Sequence, residues 1–274
     1  MGFRVKFWGV RGSIACPTPD HIGYGGNTSC IEVQVGEQTI VLDCGTGVRN
    51  LGAEFMKSGR SSGTILLTHT HWDHINGFPF FLPAYMPAFS FKVMAGHLAF
   101  AGGVREVFAN LMSNPMFPVP LTALQARLDF QDFTAGDDFD LGPDVHVKTV
   151  ALVHPNGATG YRIQHAGKSF CYITDTEHTP GEPNQAILDH IKDADCVVYD
   201  CTYTDDEFPK KVGWGHSTWQ EGMRLCRAAN VKQFVIFHHD PDHNDEFMGR
   251  LEAEAQGLWK DTVVARDNMV LDLA

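Results

Sequence analysis

Thr68-His69-Thr70-His71-Trp72-Asp73-His74 places three imidazoles and a carboxylate within six residues. Burying such a group is costly unless a cation holds it. The run just before it, residues 64–68, is Thr-Ile-Leu-Leu-Thr, short, apolar and β-branched at its ends, and predicts a buried strand. A strand ending in His-x-His-x-Asp-His presents its ligands at the lip of a sheet, where sites of α/β proteins lie. Nitrogen and oxygen donors this close together suit a borderline metal such as zinc. A polar turn with incidental histidines is the bland alternative, and the rest of the chain argues against it.

Working outward, candidate ligands recur at strand ends. His154 follows an expected strand over 145–153, Asp175 follows 169–174, and His238 and His239 follow 233–237. A lone histidine after a strand is more often structural. The same placement three times, beside the histidine motif, is not expected by chance.

Further strands are expected over 3–8, 31–35 and 39–43, the last two joined as a hairpin by Gly36-Glu37, and over 160–164 and 196–199. Helices are expected over 48–58, 98–112, 183–192 and 218–229. β-rich halves each followed by helices predict an α/β protein with two sheets packed face to face and helices outside. One domain over residues 1–274 is the economical reading, because candidate ligands come from both halves. Residues 76–135 are rich in Phe, Pro and Met and are expected as an insertion forming a lid or a homodimer contact, since exposed apolar surface of that size is usually covered.

Composition narrows the rest. The chain has 274 residues, 43% of them hydrophobic, and no apolar run long enough to cross a bilayer, so no membrane association is expected. Seven scattered cysteines with no Cys-x-x-Cys pair argue against a disulfide framework and for a cytoplasmic location. A net charge of −12 offers no electrostatic footprint for nucleic acid, so a small substrate and no long nucleic acid partner are expected.

In the order His69-x-His71-x-Asp73-His74, His154, Asp175 and His238, the chain resembles the metallo-β-lactamase-fold hydrolases over nearly its whole length. The resemblance implies an αββα sandwich with two divalent ions at one edge. It assigns His69, His71 and His154 to the first ion, Asp73, His74 and His238 to the second, and Asp175 to a bridge between them. Gly215-His216-Ser217-Thr218 is similar to the Gly-His-Ser-Thr motif of the tRNase Z-like phosphodiesterases. Tyr199-Asp200-Cys201-Thr202-Tyr203 is similar to that branch's His-Glu-Ala-Thr-Phe segment, with Asp200 where the branch has Glu. Aligning residues 229–237 with the family's closing strand selects His238 over His239 as the ligand. Only twenty-one positions separate His154 from Asp175, which leaves no room for the tRNA-binding arm of the bacterial processing enzymes.

Two metals about 3.5–4 Å apart can share a water and make hydroxide available near neutral pH. The expected reaction is therefore hydrolysis of a small phosphodiester, cyclic or nucleotide-derived, by a metal-bridging hydroxide. The metals are expected to be zinc, with manganese or iron as alternatives. His216 would donate the leaving-group proton, Asp200 would fix its tautomer, and Asp73 would serve both as ligand and in catalysis. Ser13, Asn27 and Thr28 lie in Gly-rich loops that either cradle an anion or merely turn. His97, His146, His165, His178 and His190 have no motif context and are expected at the surface or in the core. A thioester or lactone hydrolase of the glyoxalase II-like type would keep the ligands but has no use for Gly-His-Ser-Thr. A non-catalytic metal-binding sensor is the remaining alternative.

Overall fold

Alternating apolar residues along the strands build two seven-stranded sheets in a computed structural model describing residues 2–98 and 102–273. In the first, β1 (Phe3–Gly9), β2 (Cys30–Val35) and β3 (Gln38–Leu42) form an antiparallel meander. β4 (Ser62–Leu67), β5 (Ser90–Ala95) and β6 (Arg127–Asp132) then continue in parallel from β3. In the second, β7 (Phe139–Asp140), β8 (His146–Leu152), β9 (Ala158–His165) and β10 (Lys168–Ile173) are antiparallel. β11 (Cys196–Asp200), β12 (Gln233–Phe237) and β13 (Thr262–Val264) run parallel to β10. β14 (Val270–Asp272) closes the first sheet beside β1.

The period of two sorts the side chains. In β10, Phe170 and Tyr172 join the core between the sheets with Phe7, Val33, Leu42 and Phe237. Cys171 and Ile173 point the other way, into the layer beneath the helices. α1 (Val48–Ser58) covers the first sheet through Leu51 and Phe55, which pack in one cluster with Phe81, Phe91 and Phe108. α2 (Trp72–Ile75) is a single turn, and Phe108 comes from α3 (Val104–Leu111). α4 (Gln185–Ile191), α5 (Trp219–Ala228) and α6 (Asp245–Leu258) cover the second sheet through Ile187, Trp219, Met223, Met248 and Leu251. Each such side chain contributes about 1.5–3 kcal/mol by burial. The layers run helix, sheet, sheet, helix, which is the αββα sandwich of the metallo-β-lactamase fold.

Two expectations change. The helix expected over 98–112 is α3, which starts only at Val104, because Gly102 and Gly103 have φ of 78° and 91° and break the turn before it. Asp132 caps it from outside by accepting from the Val104 N–H at 2.9 Å. Residues 99–101, part of that expected helix, lie outside the described residues. Residues 76–135, expected as an insertion, contain β5 and β6, because Ser90–Ala95 and Arg127–Asp132 extend the sheet from β4. All seven cysteines are free and buried. Among the described residues, no helix is long and apolar enough to cross a membrane.

Candidate metal centre

β3, β4, β8, β10, β11 and β12 all end at one edge of the sandwich, and each hands a polar residue to it. Asp43, Asp175 and His238 follow β3, β10 and β12 with φ of 61°, 59° and 62°. A non-glycine residue held in that left-handed region costs on the order of 1 kcal/mol. Carrying that cost at three strand ends turns three side chains back across the sheet edge toward one point.

The imidazoles and carboxylates converge there in two groups, His69 with His71 and His154, and Asp73 with His74, Asp175 and His238. Asp175 faces both. Its Oδ1 lies 3.7 Å from Nε2 of His69 and of His154. Its Oδ2 lies 3.3 Å from His74 Nε2 and 3.4 Å from His238 Nε2. Asp73 Oδ2 lies 3.3 Å from each of the same two nitrogens. In the first group His154 Nε2 and His71 Nδ1 are 3.0 Å apart. His239 turns away, with Nε2 3.0 Å or less from a backbone carbonyl, that of Ala265 at 2.8 Å, and its ring edge on Tyr24.

Three features fit this cluster to divalent cations. Donors about 2.0–2.2 Å from a shared tetrahedral ion lie roughly 3.3–3.5 Å from one another, close to the spacings of 3.3 and 3.4 Å in the group of Asp73, His74, Asp175 and His238, which are longer than good hydrogen bonds. His69 Nε2 is buried without a hydrogen-bond partner, although unsatisfied buried polar groups are rare. Four carboxylates, Asp43, Asp73, Asp175 and Asp200, are buried together at 6% exposure or less. Two divalent ions carry as much positive charge as those four carboxylates carry negative.

Around the cluster, second partners hold the rings in place, as metal-binding histidines require. Asp43 accepts from Thr68 N–H at 2.8 Å, from the Tyr172 hydroxyl at 3.0 Å and faces His74 Nδ1 at 2.9 Å. The Gly215 carbonyl faces His154 Nδ1 at 2.7 Å, and Thr202 Oγ1 faces His238 Nδ1 at 2.9 Å. Glycine is required where the backbone meets these rings. A Cβ on Gly215 would sit 2.4 Å from His154 Nδ1, and one on Gly12 would sit 2.5 Å from the His238 ring.

His216 lies against this cluster, its ring stacked on His238 at a centroid distance of 4.9 Å. Its Nδ1 is 3.0 Å from Asp200 Oδ2. Asp200 is itself fixed by the Thr202 hydroxyl at 2.7 Å and the Thr176 N–H at 3.0 Å. Aspartate therefore reaches the ring despite being one methylene shorter than glutamate. Burial is the largest single influence on His216 and pushes its imidazolium down. Asp200, by charge and hydrogen bond, together with Asp175 and Asp73, outweighs burial and lifts the ring to about 9. The loop carrying His216 is anchored at both ends. Glu177 accepts from Gly213 and Gly215 N–H at 2.8 Å, and Thr218 accepts from Glu221 N–H to cap α5.

The remaining sequence candidates separate cleanly. The Ser13 N–H donates to Asp73 Oδ2 at 2.8 Å, so that Gly-rich loop does hold an anion, a carboxylate of the chain itself. Asn27 donates to Asp267, and Thr28 exchanges hydrogen bonds with Thr46. His146 faces Asp140, His165 the Asp144 carbonyl, His178 Ser217 and His243 Glu207. His97 differs from the expectation. It faces Thr70 Oγ1 at 3.1 Å and, with His69, His71, Trp72 and Asn156, lines a cleft of about 530 Å³ beside the centre. Sequence reasoning missed Asp43, whose signal was its place at the end of an apolar strand, the same place that marked Asp175.

The family model for the beta-lactamase superfamily domain matches residues 38–239. A ribonuclease Z of Bradyrhizobium sp. (strain ORS 278) is 27% identical, over 97% of this chain and 98% of its own. The solved structure of human tRNase Z, short form, aligns with a TM-score of 0.70 at 19% identity, covering 99% of both chains. A diphosphatase from the PhnP family aligns with a TM-score of 0.71 at 17% identity, covering 99% of this chain and 97% of the other. The expectation of no long nucleic acid partner is corrected here, because a relative matched over nearly its whole length is named as a ribonuclease and a structure matched over nearly its whole length as a tRNase. The argument from charge failed because −12 is a sum over the whole chain, whereas ions bound at a site can invert its local charge. The chain belongs to the beta-lactamase superfamily.

Proposed function

We propose that this member of the beta-lactamase superfamily hydrolyses phosphodiester bonds. His69, His71 and His154 would hold one divalent ion, Asp73, His74 and His238 a second, and Asp175 would bridge them. Zinc suits the mixed imidazole and carboxylate donors. When bound, such a pair supplies a water acidic enough to act as nucleophile near neutral pH and offsets charge on the phosphoryl oxygens.

The observation that carries the reading is the Asp200–His216 pair at 3.0 Å. With Nδ1 committed to Asp200, the other ring nitrogen is left to give its proton to a departing alkoxide. Asp200 favours the protonated ring by its charge and hydrogen bond and fixes the tautomer that remains after transfer. An alkoxide leaving from phosphorus needs that proton; a thiolate leaving from a thioester does not. Ser13 N–H on Asp73 keeps one carboxylate oxygen aimed at the second ion position. The seven unpaired, buried thiols support a reducing, cytoplasmic setting.

The test is turnover of bis(p-nitrophenyl) phosphate and of a transfer RNA, with metal content determined on the same sample. About two ions per chain, and turnover lost by about 10²–10⁴-fold in His216→Ala, are expected. Full metal with thioester turnover that survives His216→Ala would replace this reading with the glyoxalase II-like one.

A further inference from the structure

A large exposed aromatic side chain lies beside the metal centre, and a second lines a groove with it. Trp72, held between the candidate ligands His71 and Asp73, is 65% exposed, and Phe80 is 57% exposed. Water-facing aromatic surface of this kind next to a reaction centre marks a place where something binds. Trp72 lines the cleft that ends at His69 and His71. It also lines a second, mostly apolar groove of about 440 Å³ with Phe80, Met116, Phe117, Arg49 and Asn76. Phe80 and Phe117 meet edge to face at 5.7 Å, which sets one wall of that groove.

We infer that this groove is a stacking subsite for a nucleobase of the substrate, with Trp72 as its platform; the inference rests on the phosphodiesterase reading above. Three observations select that occupant. The groove and the cleft that ends at His69 and His71 share Trp72 as a wall, which puts the groove next to the metal centre. Its volume lies in the range of small-ligand sites and accommodates one nucleoside. Its walls combine apolar rings with Arg49 and Asn76, matching a flat aromatic body that carries polar edges and a phosphate. Stacking on an aromatic side chain is worth about 1–3 kcal/mol per base and tolerates any base, because each presents a π-face. Trp72 is then a specificity-determining residue: it reads the presence of a base next to the scissile phosphate, not the base's identity.

Two p-nitrophenyl phosphodiesters test this, one a thymidine 5′-phosphate ester and the other a methyl phosphate ester without a base. The wild-type protein is expected to favour the thymidine ester in kcat/KM, and Trp72→Ala is expected to reduce that preference by about tenfold or more. Trp72→Phe should restore most of it, since a smaller ring still stacks. A variant that merely disturbs the neighbouring ligands would lower both rates and leave their ratio intact, and that result overturns the proposal. So does an unchanged ratio accompanied by a shift from dimer to monomer in light scattering, which would make the groove a contact with a second copy. If neither ester turns over, the phosphodiesterase reading fails by itself. Quenching of tryptophan fluorescence then still decides the subsite: adenosine 5′-monophosphate must bind at least tenfold more tightly than ribose 5-phosphate, and lose that advantage in Trp72→Ala.

Discussion

Replacing Asp43 with asparagine is the sharpest test of how the second ion position is held. Asp43 receives the Thr68 N–H at 2.8 Å, the Thr68 hydroxyl at 2.9 Å and the Tyr172 hydroxyl at 3.0 Å, and faces His74 Nδ1 at 2.9 Å. An amide of the same shape keeps one acceptor oxygen but turns an N–H₂ toward donors. It also removes the negative charge that fixes the tautomer and basicity of His74. Loss of such a supporting partner costs about 10–100-fold in metal affinity, or roughly 1.4–2.7 kcal/mol. His74, which faces Asp43 directly, belongs to the group of Asp73, Asp175 and His238, whereas the first group meets Asp43 only indirectly, through the Thr68 hydroxyl 3.1 Å from His69 Nδ1, and is otherwise braced by Gly215 behind His154. Titration against a competing chelator should therefore show one of two equivalents weakened and the other within about threefold of wild type. Thermal unfolding of the metal-free protein should report a further loss of about 1–3 kcal/mol for the mismatched buried donor. The reasoning is falsified if both equivalents keep their affinity, or if both weaken alike.

Other consequences are open to direct measurement. A proton donor works only below its pKa, so activity should fall as pH rises through that of His216. In Asp200→Asn, which removes the group lifting His216 to about 9, this alkaline limb should move to lower pH. A pH–rate profile of kcat that keeps its alkaline limb would reject the pairing. Burial, followed by Arg162, pushes His190 down to about 4 from an ordinary 6.5. The unfolded chain then takes up a proton that the folded chain refuses, so stability is full above pH 6.5 and declines as pH falls toward 4. The loss is at most about 3 kcal/mol, and His190→Gln should flatten melting temperature against pH over that window. Gly215→Ala forces a Cβ to within 2.4 Å of His154 Nδ1 at a φ of 85°. It should cost about 1–3 kcal/mol and weaken the first equivalent of metal, read by chelator titration alongside the Asp43 variant.

Much of this centre was legible in the sequence for a simple physical reason. Where a strand ends at the lip of a sheet, one residue controls where a side chain points. His154, Asp175 and His238 each follow an apolar run, and the structure brings them to the His69–His74 turn. The helix over Val48–Ser58 was equally clear, with Gly59 at a φ of 73° closing it. The segment 76–135 was harder, because β5 and β6 are held by their neighbours and not by pattern. Arg127–Asp132 is polar at every second position and half exposed along much of its length, so β6 becomes a strand only because β5 offers it hydrogen bonds. α6 carried ordinary signals, an Asn244 cap followed by Asp245 and Glu246, but these were eclipsed by the histidines just before it.

Asp43 shows where reading residues one at a time stops. Asp43-Cys44-Gly45-Thr46-Gly47 looks like a turn, and it is one. What the letters do not carry is that the turn places a carboxylate behind His74, within reach of Tyr172 on the opposite sheet. A ligand can be recognised from its own type and spacing, because the ion selects both. A supporting residue is selected by a ring nitrogen whose direction is fixed only after two sheets have packed. The positive φ shared by Asp43, Asp175 and His238 is the structural trace of that selection. Each pays locally for a direction useful only at the shared centre, so relieving the strain by glycine at Asp43 would ease the backbone and still lose the site.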